Sequence, residues 1–453
     1  MPYEYIQLDK NGQEPLYHQL YCALRDAIAR ENGALLPGQR LPSIRQLCED
    51  LHVSRTTVES AYQQLCVEGY LEARPQRGYF VLAAGGAPRA HPAPLPPQAP
   101  RPKPRYNFGT DAVDAGCADL KTWRRHIRDV LNEPEALVRY GDPQGEPALR
   151  EALCAYSGAA RGVVCSPAQI VIGAGTQPLL SLLCGLLQGK AGAVAFEEPG
   201  FLQAEQVFLD CGIGVVHLPC DESGLTPQAL RESGVRAAFV SPSNLKSRGG
   251  SIPLARRQAL LSWAKDTGGL FIEDDYNGEL RYRARPIPAM QGMAADGQVV
   301  YLGSFSKLLL PSVRIGYMVL PSPLLPLYRA RAERYNQTAS KIEQLALASY
   351  IQKGELARHL RRLRKVYAQK SQTLLHALRQ AFGTRIELHL QETLLCVSAR
   401  LSGDDSPETL VARARACGVR VRPGPDGCVT LGFAGIPIAD IAPGVAALQA
   451  AWA

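Results

Sequence analysis

The chain has 453 residues, 46% of them hydrophobic and 20% charged, and 50 Lys+Arg against 42 Asp+Glu leave a formal charge of +8. Single cores stop growing at ~250 to 300 residues, so this length implies two or three domains, and the composition excludes both a disordered chain and an integral membrane protein. No apolar run approaches the ~18 residues of a spanning helix, and Met1–Lys10 lacks the apolar core of a signal peptide, so a cytoplasmic protein is expected. The twelve cysteines, from Cys22, Cys48 and Cys66 onward, are scattered through apolar runs without a C-x-x-C pair. They predict reduced thiols and no zinc or other metal site.

From Pro15, Leu16, Leu20, Leu24 and Ile28 recur at helical spacing and the run closes at Asn32-Gly33. Ser43, three residues before Gln46, has the spacing of a capping box and starts a second helix carrying Ile44, Leu47 and Leu51. After His52-Val53, Ser54 caps a third helix with Val58, Ala61 and Leu65 inward, stopping at Gly69. Two short helices around a tight turn make a helix-turn-helix, and the alternating residues on either side of Pro75–Gly78 make a small hairpin wing. Pro88 to Pro104 then holds eight prolines in seventeen residues, the composition of a semi-rigid spacer. The reading is therefore a winged helix-turn-helix at 1–83, a linker at 84–105 and a larger module at 106–453.

In a helix-turn-helix the start of the second helix enters the major groove, which places Arg55, Thr56 and Thr57 at base edges or phosphates. Ser43 and Arg45 would meet the backbone. Caps and solvated charges explain the same residues, and residues 1–82 carry eight Lys+Arg against ten Asp+Glu, so binding would rest on where charge stands. The stretches PLYHQLYCALRDAI, LPSIRQLCEDLHVSRTTVESAYQQLCVEGYL and RGYFV resemble the winged helix of GntR-type bacterial regulators. That resemblance implies operator DNA as a partner, bound through Ser43, Arg45, Ser54, Arg55, Thr56 and Thr57, with Arg77 and Gly78 in the wing.

In the larger module, short apolar runs at Ile170–Ile172, Val194–Phe196, Ala238–Val240, Leu270–Ile272 and Val299–Leu302 alternate with helical segments such as Pro178–Leu187 and Leu254–Lys265. This predicts an α/β domain with a mainly parallel sheet and ligands at the carboxyl ends of its strands. The last run leads into Gly303-Ser304-Phe305-Ser306-Lys307, with Arg314 seven residues on. A lysine there can condense with an aldehyde, and two serines and an arginine supply donors for a phosphate, although an ordinary surface lysine fits the same pattern. Asp274 and Tyr276, two apart, project to one side, suiting a protonated ring nitrogen and a ring hydroxyl, or equally a metal ligand or loop cap. Gly175 and Thr176 open a helix after the first strand, and Phe201 can stack on a ring or simply pack in a core. Lys353–Lys370, with seven cations against Glu355, predicts a basic helix that is a solvated face, a dimer contact or a second DNA contact.

YGDPQGEPALREAL, AGTQPLL, EEPGF, IEDDYNGELRY and GSFSKLLLPSVRIGY together resemble a fold-type I aminotransferase, and the whole chain resembles a MocR-type regulator. The resemblance implies pyridoxal 5'-phosphate as cofactor. It makes Lys307 the Schiff-base lysine and catalytic residue, and sets Asp274 on the pyridine nitrogen and Tyr276 on the phenolic oxygen with Asn244 in reach. Arg314, Ser304, Ser306, Gly175 and Thr176 hold the phosphate, and Phe201 stacks on the ring. It also implies a homodimer. The chain departs from the pattern at Ser247-Arg248-Gly249, at Asn244 where histidine is common, at Gln203, and at Thr430, where amino-acid-binding relatives carry the arginine that grips a carboxylate.

The expected function is a transcription regulator that senses a small amine or pyridoxal phosphate, with a working aminotransferase bearing a DNA-binding arm as the alternative. A DNA-binding protein whose large domain only dimerises is the third reading. Without Thr430 and Gln203 as arginines, an ordinary α-amino acid is a poor ligand unless Arg248 or Arg422 replaces the anchor.

Overall fold

The computed structural model describes residues 5–10, 12–29, 34–82, 103–198, 200–245, 250–283 and 287–452. The proline-rich stretch up to residue 102, and Arg248 with its neighbours Ser247 and Gly249, lie outside the described residues. Met1–Arg101 and Pro102–Ala453 form two compact units.

The first unit is built from α1 (Leu16–Ala29), α2 (Ile44–Leu51) and α3 (Arg55–Val67), followed by the antiparallel pair β1 (Leu71–Arg74) and β2 (Gly78–Val81). Ser43 Oγ accepts the Gln46 N–H and Ser54 Oγ accepts the Thr57 N–H, so each hydroxyl satisfies a backbone donor that the helix start leaves over. His52, in the left-handed region at φ 53°, ends α2 and turns the chain into α3. Leu20, Leu24, Leu47, Val58, Tyr62 and Leu65 bury one face of each helix in a common core. The wing gains a third edge from Arg40, which bridges Phe80, and from Leu41 N–H donating to the Tyr79 carbonyl.

The second unit contains a seven-stranded sheet: β3 (Ile170–Gly173), β4 (Ala193–Glu197), β5 (Gly214–Leu218), β6 (Ala237–Val240), β7 (Leu270–Asp275), β8 (Val299–Ser304) and β9 (Gly316–Val319). Their order is β3-β9-β8-β7-β6-β4-β5. The pairs β6–β7, β7–β8, β4–β6 and β4–β5 are parallel, whereas β9 runs antiparallel to both β8 and β3. Near-continuous Val, Ile, Leu and Ala runs fit a sheet covered on both faces. Alternation along the strands puts Tyr301 and Tyr317 in one apolar layer, and Ile272, Leu302 and Met318 in the other. The flanking helices include α4 (Pro147–Arg161), α5 (Thr176–Leu187) and α6 (Leu254–Thr267). A smaller antiparallel sheet, ordered β10-β11-β13-β12, comprises β10 (Ile386–Gln391), β11 (Cys396–Leu401), β12 (Arg422–Pro423) and β13 (Val429–Gly432).

The basic segment differs from its sequence reading. Gly354, at φ 69°, separates α7 (Lys341–Gln352) from α8 (Glu355–Phe382), so Lys353 stands in the junction and the helix continues far past Lys370. Nor is the segment only a solvated face: Lys370 is buried, with Nζ 2.7 Å from Asp114 Oδ2. All twelve cysteines are free thiols, and among the described residues no helix is long and apolar enough to cross a membrane.

Under the end of β7 lies a buried polar network. Arg161, the last residue of α4, donates Nε to Asp275 Oδ2 at 2.6 Å and Nη2 to Asp275 Oδ1 at 3.0 Å, with both side chains fully buried. Nη2 also donates to Ser243 Oγ, and the Tyr301 hydroxyl donates to Asp275 Oδ2. A bidentate buried pair of this kind becomes costly once one partner is lost, because the other charge stays behind without compensation. Arg161→Ala is expected to lower the stability of the large unit by ~3 to 5 kcal/mol in denaturant titrations. A loss below ~1 kcal/mol, the range of an exposed pair, would contradict this account.

Candidate functional site

In the winged unit the groove-reading candidates stand at the start of α3. Arg55 and Thr56 are exposed, while Thr57 is half-buried and its Oγ1 lies 2.8 Å from Ser54 Oγ. Arg55 Nε donates to Glu59 at 2.8 Å and Arg45 Nε donates to Glu49 at 3.1 Å, both along one helix turn on the surface. Such exposed pairs are weak enough to exchange for phosphate or a base edge. Arg77 is exposed at the tip of the wing, and Gly78 takes φ 98°. Arg40 was missed by the sequence reading. Its guanidinium lies against Gly78, where an added Cβ would sit 3.3 Å from Nε, and it lines a cavity of about 520 Å³ with Ser43 and Gln46. The available signal was an arginine one residue before the Leu-Pro-Ser that starts α2.

In the large unit the candidates gather at the carboxyl ends of the strands. Gly175 ends the turn after β3 with φ 94°, and α5 begins at Thr176 with its first N–H groups directed at the same edge. A Cβ on Gly175 would come within 2.9 Å of Arg314 Nη2, so the glycine keeps open the space beside that guanidinium. Arg314 donates to the Ala174 carbonyl at 3.2 Å and is itself in the left-handed region at φ 50°. Register completes the corner. Ser304 is opposite Gly316, and a Cβ on Gly316 would lie 3.2 Å from Gly175 Cα. Ser304 Oγ meets Ser306 Oγ at 3.2 Å and accepts the Ser306 N–H at 3.3 Å. Cation, hydroxyls and helix N-terminus together make a corner suited to a dianion.

Beside this corner the Lys307 amine donates to the Thr110 carbonyl at 2.6 Å and to the Ala112 carbonyl at 3.1 Å. Its pKa is lowered to about 8, chiefly by burial, with the Asp111 charge opposing the shift and the Arg422 charge adding to it. Asp274 is buried and shares its side of β7 with Ile272, the layer against which Phe201 packs; Phe201 lies 6.2 Å from Phe239 between ring centroids. Burial first, and then the Asp274 charge, pushes the Tyr276 phenol well up, so it stays protonated. Asn244 Nδ2 donates to the Tyr276 carbonyl at 2.8 Å, and its Oδ1 is buried without a partner among the described residues. Arg161, Asp275 and Glu279 beneath the site were missed by the sequence reading. Their signal was the charge pattern Glu-Asp-Asp at the end of an otherwise apolar strand, which requires buried partners. Among the described residues no cluster of three or more His, Cys, Asp or Glu is placed to hold a metal.

Residues 16–81 match the model of bacterial regulatory proteins of the gntR family, and residues 107–437 match aminotransferase class I and II. An uncharacterized HTH-type transcriptional regulator of Bacillus subtilis, YdeL, is 35% identical over 98% of both chains. The probable rhizopine catabolism regulatory protein MocR of Rhizobium meliloti is 32% identical, covering 99% of this chain and 96% of its own. The HTH-type pyridoxine biosynthesis transcriptional regulator PdxR of Corynebacterium glutamicum is 32% identical, over 91% and 88%. Among solved structures, LysN, an α-aminoadipate aminotransferase from Thermus thermophilus, superposes with a TM-score of 0.67 at 26% identity, covering 76% of this chain and 91% of its own.

The lowered pKa of Lys307 has a kinetic consequence. At pH 7.5 about a quarter of an amine with a pKa near 8 is neutral, against about a thousandth at the usual value for lysine. Labelling of Lys307 by an aldehyde reagent, followed by peptide mass spectrometry, should rise through a midpoint near pH 8. A midpoint above pH 10 would show that burial leaves this amine unperturbed.

Proposed function

Because the chain belongs to the MocR-type transcriptional regulators, a GntR-family winged helix joined to an aminotransferase-like domain, we propose that it senses a small amine, or pyridoxal phosphate itself, at Lys307 and alters its grip on operator DNA in response. The cofactor of the large domain is pyridoxal phosphate. The residues fit it: Gly175 leaves the cradle beside Arg314 open, and Asn244 keeps a buried polar atom unmatched.

Arg314, Ser304, Ser306, Gly175 and Thr176 would hold the phosphate through charge-assisted and backbone hydrogen bonds. When bound, the cofactor supplies an aldehyde that condenses with amines and a ring that withdraws electrons. Lys307 presents a partly neutral amine for that chemistry. Asp274 would face the pyridine nitrogen and favour its protonated form, the protonated Tyr276 phenol would donate a hydrogen bond to the ring oxygen with Asn244 beside it, and Phe201 would cover the ring. The observation carrying the sensing reading is that this amine and its phosphate corner coexist with Thr430 in place of the carboxylate-gripping arginine. The groups needed to engage an amine are kept, while the one needed to hold an α-amino acid for turnover is replaced.

The protein acts in the cytoplasm as a homodimer, since a two-fold assembly offers two winged helices to one operator. Sedimentation of the cofactor-loaded chain at micromolar concentration tests the dimer, and a monomer would refute it. Ligand at Lys307 shifts the population of dimer geometries and with it the spacing of the two recognition helices. Borohydride treatment of the purified protein should fix the cofactor mass to the Lys307 peptide, and Lys307→Ala should carry no covalent label and lose the response of DNA binding to amines. An unchanged response in that variant would overturn the reading. Rapid conversion of common α-amino acids to oxo acids would favour the enzyme instead.

On the DNA side, Arg55→Ala should weaken operator binding by ~1 to 3 kcal/mol if the side chain reads a base, leaving non-specific DNA little affected. Arg45→Ala should weaken both alike and make binding less salt-dependent by about one phosphate contact. Gel-shift titrations across a salt series distinguish the two; identical isotherms for both variants and the unaltered protein would exclude these roles.

A further inference from the structure

Thr430 lies on β13, and the residue directly opposite it on β12 is Arg422. Residues directly opposed in antiparallel strands project from the same face of the sheet with neighbouring Cβ atoms. A long side chain at 422 therefore serves the same face as an arginine at 430 would. Arg422 Nη2 stands 3.5 Å from Asp111 Oδ1, and Arg420 Nη2 stands 3.0 Å from Asp111 Oδ2. Asp111 is the residue between Thr110 and Ala112, whose carbonyls hold the Lys307 amine. Two guanidinium groups thus share the carboxylate whose chain neighbours hold the Lys307 amine, and the Arg422 charge acts on that amine.

The cluster is also accessible. Arg422 and Asp111 each leave 45% of their side-chain surface exposed. Burial raises the Asp111 pKa, but its backbone hydrogen bond and the two arginines outweigh that and hold it below the usual carboxylate range, so it is ionised at neutral pH. Half-exposed ion pairs are weak, and an incoming carboxylate can displace Asp111 at little cost. Asp111 then acts as a placeholder for a ligand carboxylate.

We propose that Arg422, assisted by Arg420, is the relocated carboxylate anchor of the effector pocket, and that the effector is a small amine carrying a carboxylate. This rests on the amine-sensing reading above and narrows its ligand class. The strand pairing brings the replacement arginine in from the neighbouring strand, so the acidic group approaches from a different side than it would toward residue 430. The carboxylate-to-amine distance that fits is then set by Arg422.

The test is calorimetric titration of the cofactor-loaded full chain with a series of ω-amino acids from glycine to 5-aminopentanoate, each paired with the alkylamine lacking the carboxylate. The best-fitting amino acid should bind ~10-fold or more tightly than its alkylamine. Arg422→Ala should remove that advantage and leave alkylamine binding as it was. Arg422→Lys should keep part of it, and adding Thr430→Arg to Arg422→Ala should restore affinity with a different preferred chain length. Asp111→Asn should tighten amino acid binding, an effect opposite to that of losing a merely structural ion pair. Equal binding of amino acids and alkylamines to the unaltered protein, or equal losses for both series in Arg422→Ala, would overturn the anchor while leaving amine sensing intact. If neither series binds, amine sensing fails and the anchor fails with it.

Discussion

The end of β7, where Asp274 stands, depends on the buried pair between Arg161 and Asp275. The strand that carries Asp274 to the candidate site ends in three acidic residues, and alternation drives Glu273 and Asp275 to the side opposite Asp274. Left alone there, those carboxylates would destabilise the sheet by their desolvation. Glu273 accepts the backbone N–H groups of Met290 and Gln291, and Asp275 takes the bidentate Arg161 and the Tyr301 hydroxyl. With both carboxylates pinned from below, Asp274 on the other side of the strand is held in register. The stability of this network and the aim of the site are one property.

The same economy of space appears at the corner formed by Gly175, Ser304 and Arg314. A Cβ at Gly175 or Gly303 would collide with the Arg314 guanidinium or the Tyr317 ring, and one at Gly316 would crowd the Gly175 backbone at 3.2 Å. Three strand ends can therefore approach closely enough for hydroxyls, a cation and a helix start to converge. Flat packing of small residues substitutes for a pre-built loop.

Much of this arrangement is readable in the amino-acid order. Ser43 and Ser54 announce helix starts because capping requires only local spacing, and the five apolar runs announce strands because burial on both faces removes alternation. Lys307 and Arg314 stand out because their neighbours Ser304 and Ser306 share one chemistry. What escapes is whatever depends on distant partners. Arg161 sits in a helix that reads as ordinary, yet its carboxylate partner is 114 residues away. Gly214–Leu218 and Gly316–Val319 are not among the runs that read as strands, and nothing local shows that the latter runs against its neighbours. A single glycine at 354 splits what composition presents as one basic helix, and the two-residue strand at Arg422–Pro423 is too short to leave a periodic trace.

The antiparallel course of β9 ties two functions together. Because this strand enters the sheet at the edge where its neighbours finish, the chain leaves β8, passes Lys307, and returns through Arg314 to pair Phe305 N–H with the Ile315 carbonyl at 3.1 Å. The Lys307 amine and the Arg314 guanidinium are thus two points on one closed loop, clamped at its neck. The short 3₁₀ turn Pro311–Val313 joins the two and keeps the loop compact. A displacement of the Lys307 backbone would therefore bear on the whole loop and not on one side chain, a mechanical property set by the single pairing at its neck.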